Sequence, residues 1–339
     1  MTCLLGLVLK ILVTLIPSLV AITILWWLDR YEKDPLWLLG VAFAWGAIPS
    51  AILSIITQVL FDFPLKALLG KTTLYSLAGG SVIAPITEES FMALILLAIF
   101  LLYRKEFDGP MDGILYGALV GFGFTFVEDV LYLMSALNEK GWAGWGTLAF
   151  LRVGLFTLNH SLFTGCTGLG LGIARISREP WKKFFFPAAG WFAAVSLHGM
   201  HNAFTTLSPT TSGLTCLAAI LVDWMGAWVM LLLILLFVQQ EKRWLEELLP
   251  EVQAGVITED EYRAASRYRT RFAYGWRVLS EYGIGIWFKW GGLIQTIVHL
   301  AYKKHQKRVA GEGAATDKAI EDLRLQIAKT RNELRTKKR

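Results

Sequence analysis

Leu74 to Leu102 reads LYSLAGGSVIAPITEESFMALILLAIFLL. Its only charges are the adjacent pair Glu88 and Glu89. At about 1.5 Å per residue, a helix of this length exceeds the roughly 30 Å hydrocarbon layer of a bilayer. The apolar run is continuous rather than alternating, so it reads as a spanning helix and not as a barrel strand. Comparable runs recur along the chain at about 3–28, 36–61, 112–137, 147–174, 184–206 and 213–238. The pattern predicts an all-α polytopic membrane protein with a bundle of about seven transmembrane helices. The first run, broken only by Lys10, is too long for a signal-peptide core and is counted as a span.

Composition agrees with this reading. Hydrophobic residues make up 55% of the 339, charged residues 18%, and mean hydropathy is +0.48. The charge is unevenly distributed. Residues 241–339 hold 20 Lys/Arg against 13 Asp/Glu, leaving the first 240 near neutrality. Two domains are therefore expected: a transmembrane domain over 1–240 and a basic, mostly helical cytosolic tail over 241–339. Within the tail, Thr258 followed by Glu261 is a capping box. The stretch 284–302 is nearly apolar but holds Lys289, and it reads as an interfacial or tail-packing helix, with an eighth span as the alternative. Basic residues concentrate in the first, third and fifth linkers and in the tail, which places the N-terminus outside and the tail in the cytosol. The tail's charge suits anionic lipid or a docking partner, and nucleic acid is not expected. Cys3, Cys166 and Cys216 each lie in an apolar run without metal-ligand spacing and read as core residues.

Ionisable groups at mid-bilayer depth cost about 2.5–3.5 kcal/mol each on insertion scales. Most spans avoid them, but four here do not. Glu88 and Glu89 lie in the third, Glu128 and Asp129 in the fourth, Asn159 and His160 in the fifth, and His198, His201 and Asn202 in the sixth. Counted from the span ends, Glu88, Glu128, His160 and His198 share one depth near the middle of the membrane. A common depth lets them solvate one another in one buried cluster. His198 and Asn202 are four residues apart and share a helix face. Glycines 109, 113, 117, 121 and 123 in the fourth span and 165, 168, 170 and 172 in the fifth predict close helix packing.

These residues resemble the PrsW family of intramembrane proteases, itself similar to the type II CAAX prenyl endopeptidases. Glu88-Glu89-Ser90-Phe91-Met92 resembles the family's EExxK element. Asp108 to Gly113, on through Tyr116-Gly117 to Gly121–Glu128, resembles its FxxxE element and the preceding DG and YG signature. Arg152 through His160 to Gly172 resembles its third motif. His198 to Asn202 fits the HxxxN pattern. The likeness runs over about residues 36 to 206. Position 92 is Met where the family often has Lys, so a counter-charge beside the glutamates is missing.

The resemblance implies hydrolysis of a peptide bond within the membrane, on a membrane-spanning or membrane-associated protein such as an anti-sigma factor. Amide hydrolysis needs an activated water and a stabiliser for the oxyanion. The expected assignment makes Glu88 the base on the water with Glu89 as its partner. Glu128 orients the water or shuttles protons, His198 and Asn202 donate to the oxyanion, and His160 completes the polar wall. In that form no cofactor is required. The rival chemistry is a metal-bound water, with Glu88, Glu128, His160 and His198 as ligands of zinc. Two other classes compete: a proton-coupled transporter, for which an inverted repeat is expected and none is legible, and a non-catalytic membrane protein that keeps the cage.

Overall fold

The computed structural model describes residues 2–29, 31, 33–310 and 314–337. All regular elements among them are helical. In chain order we name α1 (Thr2–Leu28), α2 (Leu36–Leu69), α3 (Thr73–Leu102), α4 (Pro110–Ala149), α5 (Asn159–Ile176), α6 (Pro180–Leu207) and α7 (Leu214–Trp244). Three more follow: α8 (Glu259–Ser266), α9 (Tyr268–Ala310) and α10 (Ala314–Lys337). The chain divides into two compact units. One comprises residues 1–27 and 34–234, the other residues 28–33 and 235–339.

Among the described residues five helical runs are long and apolar enough to cross a bilayer: Val8–Leu28, Leu36–Leu69, Thr73–Leu102, Pro110–Ile176 and Leu214–Gln253. The fourth is 67 residues long, about 100 Å if straight, which is far too long for one crossing. It contains the predicted fourth and fifth spans, folded back on each other. The predicted sixth span lies in α6, which is 28 residues long but carries Lys182, Lys183, His198, His201 and Asn202 and so falls outside that apolar set. The chain is thus an all-α polytopic membrane protein. Its outward faces are apolar: Phe63, Leu68, Leu102 and Phe184 are 75–81% exposed, as side chains facing lipid should be.

The predicted glycines set how α4 and α5 meet. A Cβ on Gly113 would run into the Gly168 carbonyl, one on Gly121 into the His160 carbonyl, and one on Gly117 would lie 2.6 Å from the Thr164 carbonyl. Residue numbers rise on one helix as they fall on the other, so the pair is antiparallel and in backbone contact. Only side chains ending at Cα permit this approach. Gly46 meets the Val120 carbonyl in the same manner, joining α2 to a second face of α4, and Gly190 meets that of Cys166, joining α6 to α5. Around these seams lies a core that includes Leu38, Met92, Leu96, Ile99, Phe107, Leu115 and Val120.

Three π-turns interrupt the membrane helices, at Gly46–Ser50, Gly79–Ile83 and Phe150–Leu155. The predicted fifth span, 147–174, is therefore not one helix. The π-turn and the non-helical residues after it break the chain just before Asn159, so His160 stands in the first turn of α5. A second break falls at Gly141 in α4, whose φ is 64°.

The second unit has its own core, with Leu245, Leu248, Ile294, Ile297, Val298, Leu300 and Ile327 almost fully buried. The apolar stretch of α9 packs into that core, and the helix bends at Gly283. The predicted capping box forms: Thr258 accepts from the Glu261 amide, and Glu261 accepts from the Thr258 amide. At its centre Glu251, 2% exposed, accepts from Lys304 at 2.6 Å and from Arg324 at 2.6 and 2.9 Å.

Candidate active site

Five of the six residues singled out in the sequence meet in one buried group. Glu88 and Glu89 come from α3, Glu128 from α4, His160 from α5 and His198 from α6. The two imidazoles stand at its centre, ring centroids 4.7 Å apart and nearly perpendicular. Each is backed by a carboxylate. His198 Nδ1 lies 3.1 Å from Glu89 Oε1, and His160 Nε2 lies 3.0 Å from Glu128 Oε2. An ionised carboxylate only accepts, so these contacts place the imidazole protons on His198 Nδ1 and His160 Nε2. The other ring nitrogens, His198 Nε2 and His160 Nδ1, are left as lone-pair donors.

His160 Nδ1 lies 3.7 Å from Glu89 Oε1, and His198 Nε2 faces a third group. Glu88 Oε2 is 3.6 Å from His198 Nε2. Its partner oxygen, Oε1, accepts from Gln58 at 2.7 Å, which fixes the plane of the carboxyl. Glu88 Oε2 and His160 Nδ1 are buried without any hydrogen-bond partner. Two buried orphaned polar atoms are costly unless something else satisfies them. Ligand atoms of Glu88, His160 and His198 all lie within 4.8 Å of one another. Two histidines and a glutamate make a zinc-type donor set. A tetrahedral ion at about 2.0–2.2 Å sets its ligand atoms about 3.4 Å apart; the Glu88–His198 edge is already near that length, and an edge at the 4.8 Å limit would close by about 1.4 Å. Histidine ligands whose far nitrogens bond carboxylates are the usual supporting shell of a metal site. The residues therefore fit a divalent ion.

Glu128, a predicted fourth ligand, is engaged differently. Its Oε2 accepts from Arg152 at 2.6 Å as well as from His160, and Arg152 Nε donates to Asp129 at 2.5 Å. It stands outside the triangle, behind His160. Glu89 is likewise saturated, receiving Thr164 Oγ1 at 2.9 Å besides His198. Met92, 0% exposed, packs beneath, and Thr164 Oγ1 also touches its sulfur at 3.3 Å.

Asn202 does not join the group through its amide nitrogen, which donates to the Gly80 carbonyl at 2.8 Å. That carbonyl belongs to the π-turn of α3, where backbone acceptors are freed from the helical ladder. His201 and Asn159 form a neighbouring cluster: His201 Nδ1 lies 2.7 Å from Asp223 of α7 and 3.1 Å from the Asn159 amide. A cavity of about 30 Å³, the size of a single water, lies between the two clusters and is lined by Glu128, His160, His198 and His201.

Four participants have no role assigned from the sequence: Gln58, Thr164, Asp223 and Arg152, the last of which opens the third motif. Each was visible as a polar residue inside an apolar run, but nothing in the runs says which of them face inward. Glu88 and Glu128 also lie at the inner end of a cleft of about 470 Å³ between α2, α3 and α4.

The sequence matches the family described as PrsW family intramembrane metalloprotease over residues 34–239. Curated relatives named Protease PrsW include one from Geobacillus kaustophilus, 28% identical over 183 residues, covering 51% of this chain and 69% of the relative. One from Clostridioides difficile is 32% identical over 127 residues, covering 37% and 50%. One from Bacillus subtilis is 26% identical over 167 residues, covering 48% and 67%. No solved structure matches the chain.

Proposed function

The chain belongs to the PrsW family of intramembrane proteases, and we propose that it cuts its membrane-protein substrate at the group formed by Glu88, His160 and His198, which holds a divalent ion such as zinc. One observation carries this reading: three ligand atoms converge, and each imidazole has one nitrogen bound to a carboxylate. When bound, such an ion supplies an electrophile and an acidified water.

The surrounding residues prepare that site. Glu89 and Glu128 hold the imidazole protons on the far nitrogens and so keep the near ones as donors. Arg152 pins Asp129 and Glu128, the latter through the same oxygen that bonds His160, and so fixes the carboxylate that orients the ring. Gln58 turns Glu88 Oε2 inward. Asn202 supports the π-turn through Gly80 rather than donating to the oxyanion with that N–H. The cleft at Glu88 gives an unfolded substrate segment access to the group.

A second reading keeps the residues and drops the ion. Glu88 Oε2 takes the proton of a water, and His160 and His198 donate to the oxyanion as imidazolium ions, with the inward nitrogens protonated as well as those bonded to Glu128 and Glu89. The lack of any protein partner on Glu88 Oε2 favours it, since that oxygen is left to accept from a water. The physiological substrate under either reading is a single-span regulatory protein such as an anti-sigma factor. The distribution of basic residues supports an outside N-terminus and a cytosolic tail.

The experiment is elemental analysis of the purified wild type, Glu88→Gln and His198→Ala, with cleavage of membrane proteins followed by enrichment of new N-termini. The metal reading expects about one ion per chain in wild type, lost in both variants together with cleavage. A metal-free wild type that still cuts and ignores chelators would leave the second reading standing. Identical N-termini with and without Glu88 would remove hydrolysis by this group altogether.

A further inference from the structure

The cleft leading to Glu88 has a chemistry of its own. On α2, Ser54, Gln58 and Asp62 are spaced four residues apart and share one face; all three line the cleft. They form a polar stripe on a mostly apolar helix, whose other polar side chains are Ser50, Thr57 and Lys66. Gln58 is bonded to Glu88, and Ser54, 1% exposed, has a buried hydroxyl without a partner at the cleft wall. An unsatisfied buried hydroxyl beside an access route suits a ligand that brings hydrogen-bonding groups with it, as a peptide backbone does. At the outer end Asp62 is exposed and accepts from the Tyr75 hydroxyl.

Charge defines the rest. The acidic residues lining the cleft are Asp62, Glu88 and Glu128, and no Lys or Arg lines it among the described residues. Phe61, Tyr75 and Tyr132 supply aromatic walls. Aromatic faces with a carboxylate at the end accommodate a long cationic side chain, its stem against the rings and its head at the acid.

We propose, resting on the protease reading above, that this cleft is a specificity subsite in which Asp62 selects a substrate segment carrying a Lys or Arg close to the scissile bond. Spacing sets how close. Asp62 is one helical turn beyond Gln58, about 6 Å along the axis, and Gln58 touches Glu88. An extended chain covers about 3.3 Å per residue. The basic side chain therefore stands about two or three residues from the bond that is cut. Ser54 and the Gln58 amide flank the backbone of the intervening residues.

The test enriches new N-termini from membranes of cells producing equal amounts of wild type, Glu88→Gln, Asp62→Asn or Asp62→Lys. Sites cut by wild type and absent with Glu88→Gln define the protein's own cleavages. The expected result is Lys or Arg enriched two or three residues from those sites. Asp62→Lys is expected to lower their yield about fivefold relative to sites lacking a basic residue, and Asp62→Asn about threefold, as loss or reversal of a solvated ion pair allows. Cleavage by Asp62→Lys at the same sites with the same relative yields would overturn the subsite, as would Glu88-dependent sites with no basic residue nearby. The underlying protease reading fails with a different signature, identical N-termini in wild type and Glu88→Gln.

Discussion

Gly121→Ala is the sharpest probe of how packing makes the site. A methyl group there would meet the His160 carbonyl and lie 2.6 Å from the Ser161 nitrogen. Both are backbone atoms of α5 and have no rotamer with which to yield. Restoring an ordinary contact of about 3.4 Å requires α4 and α5 to part by roughly 1 Å. Overpacking of this kind costs about 1–3 kcal/mol. The larger consequence is geometric, because Glu128 is carried by α4 and His160 by α5. Their 3.0 Å contact would stretch to about 4 Å, beyond hydrogen-bond reach. A misplacement of about 1 Å in a reacting assembly costs on the order of a hundredfold in rate. Gly40→Ala is the control, since nothing lies within 4 Å of its Cβ position. Unfolding midpoints in detergent and the yield of Glu88-dependent N-termini give the two readouts. Gly121→Ala should lower both and Gly40→Ala neither. If Gly121→Ala matched wild type in midpoint and yield, the claim that backbone contact positions His160 would be wrong.

Two other perturbations separate charge from packing. Arg152→Met leaves Glu128 and the buried Asp129 without their shared cation and should cost about 3 kcal/mol; Arg152→Lys should recover only part, because an ammonium cannot fork between two carboxylates. An unfolding series comparing the three proteins checks this, and equal stability of the Met and wild-type forms would contradict it. In the second unit, Glu251→Ala strands Lys304 and Arg324, both partly exposed, and should cost about 2–3 kcal/mol. Faster hydrogen exchange across Ala314–Lys337 is the expected sign, and unchanged protection there would count against a stabilising role for the buried carboxylate.

Much of the architecture was legible because lipid leaves few options. A continuous apolar run of about 20 residues has to be a helix with its backbone bonds closed, and Leu74–Leu102 shows the rule at work. The site was legible for the converse reason. Glu88, Glu128, His160 and His198 are too costly at mid-membrane unless they meet, so their shared depth pointed to a cluster. Depth carries no information about direction, however. Nor does a shared helix face: Asn202 lies on the same face as His198, yet its amide nitrogen serves Gly80. Glu128 was placed among the metal ligands, yet Arg152 holds it behind His160.

The sequence by itself determined that this is an all-α membrane protein and which polar residues had to seek each other inside it. Both follow from local costs, summed one residue at a time. Only the tertiary structure decided which atoms face the common centre, that the chain breaks before Asn159, and that Gln58 and Arg152 belong to the assembly. Those outcomes depend on how helices distant in sequence are rotated against one another. Here that rotation is set by glycine-to-carbonyl contacts such as Gly113 on Gly168 and Gly121 on His160, which exist only once α4 and α5 have met.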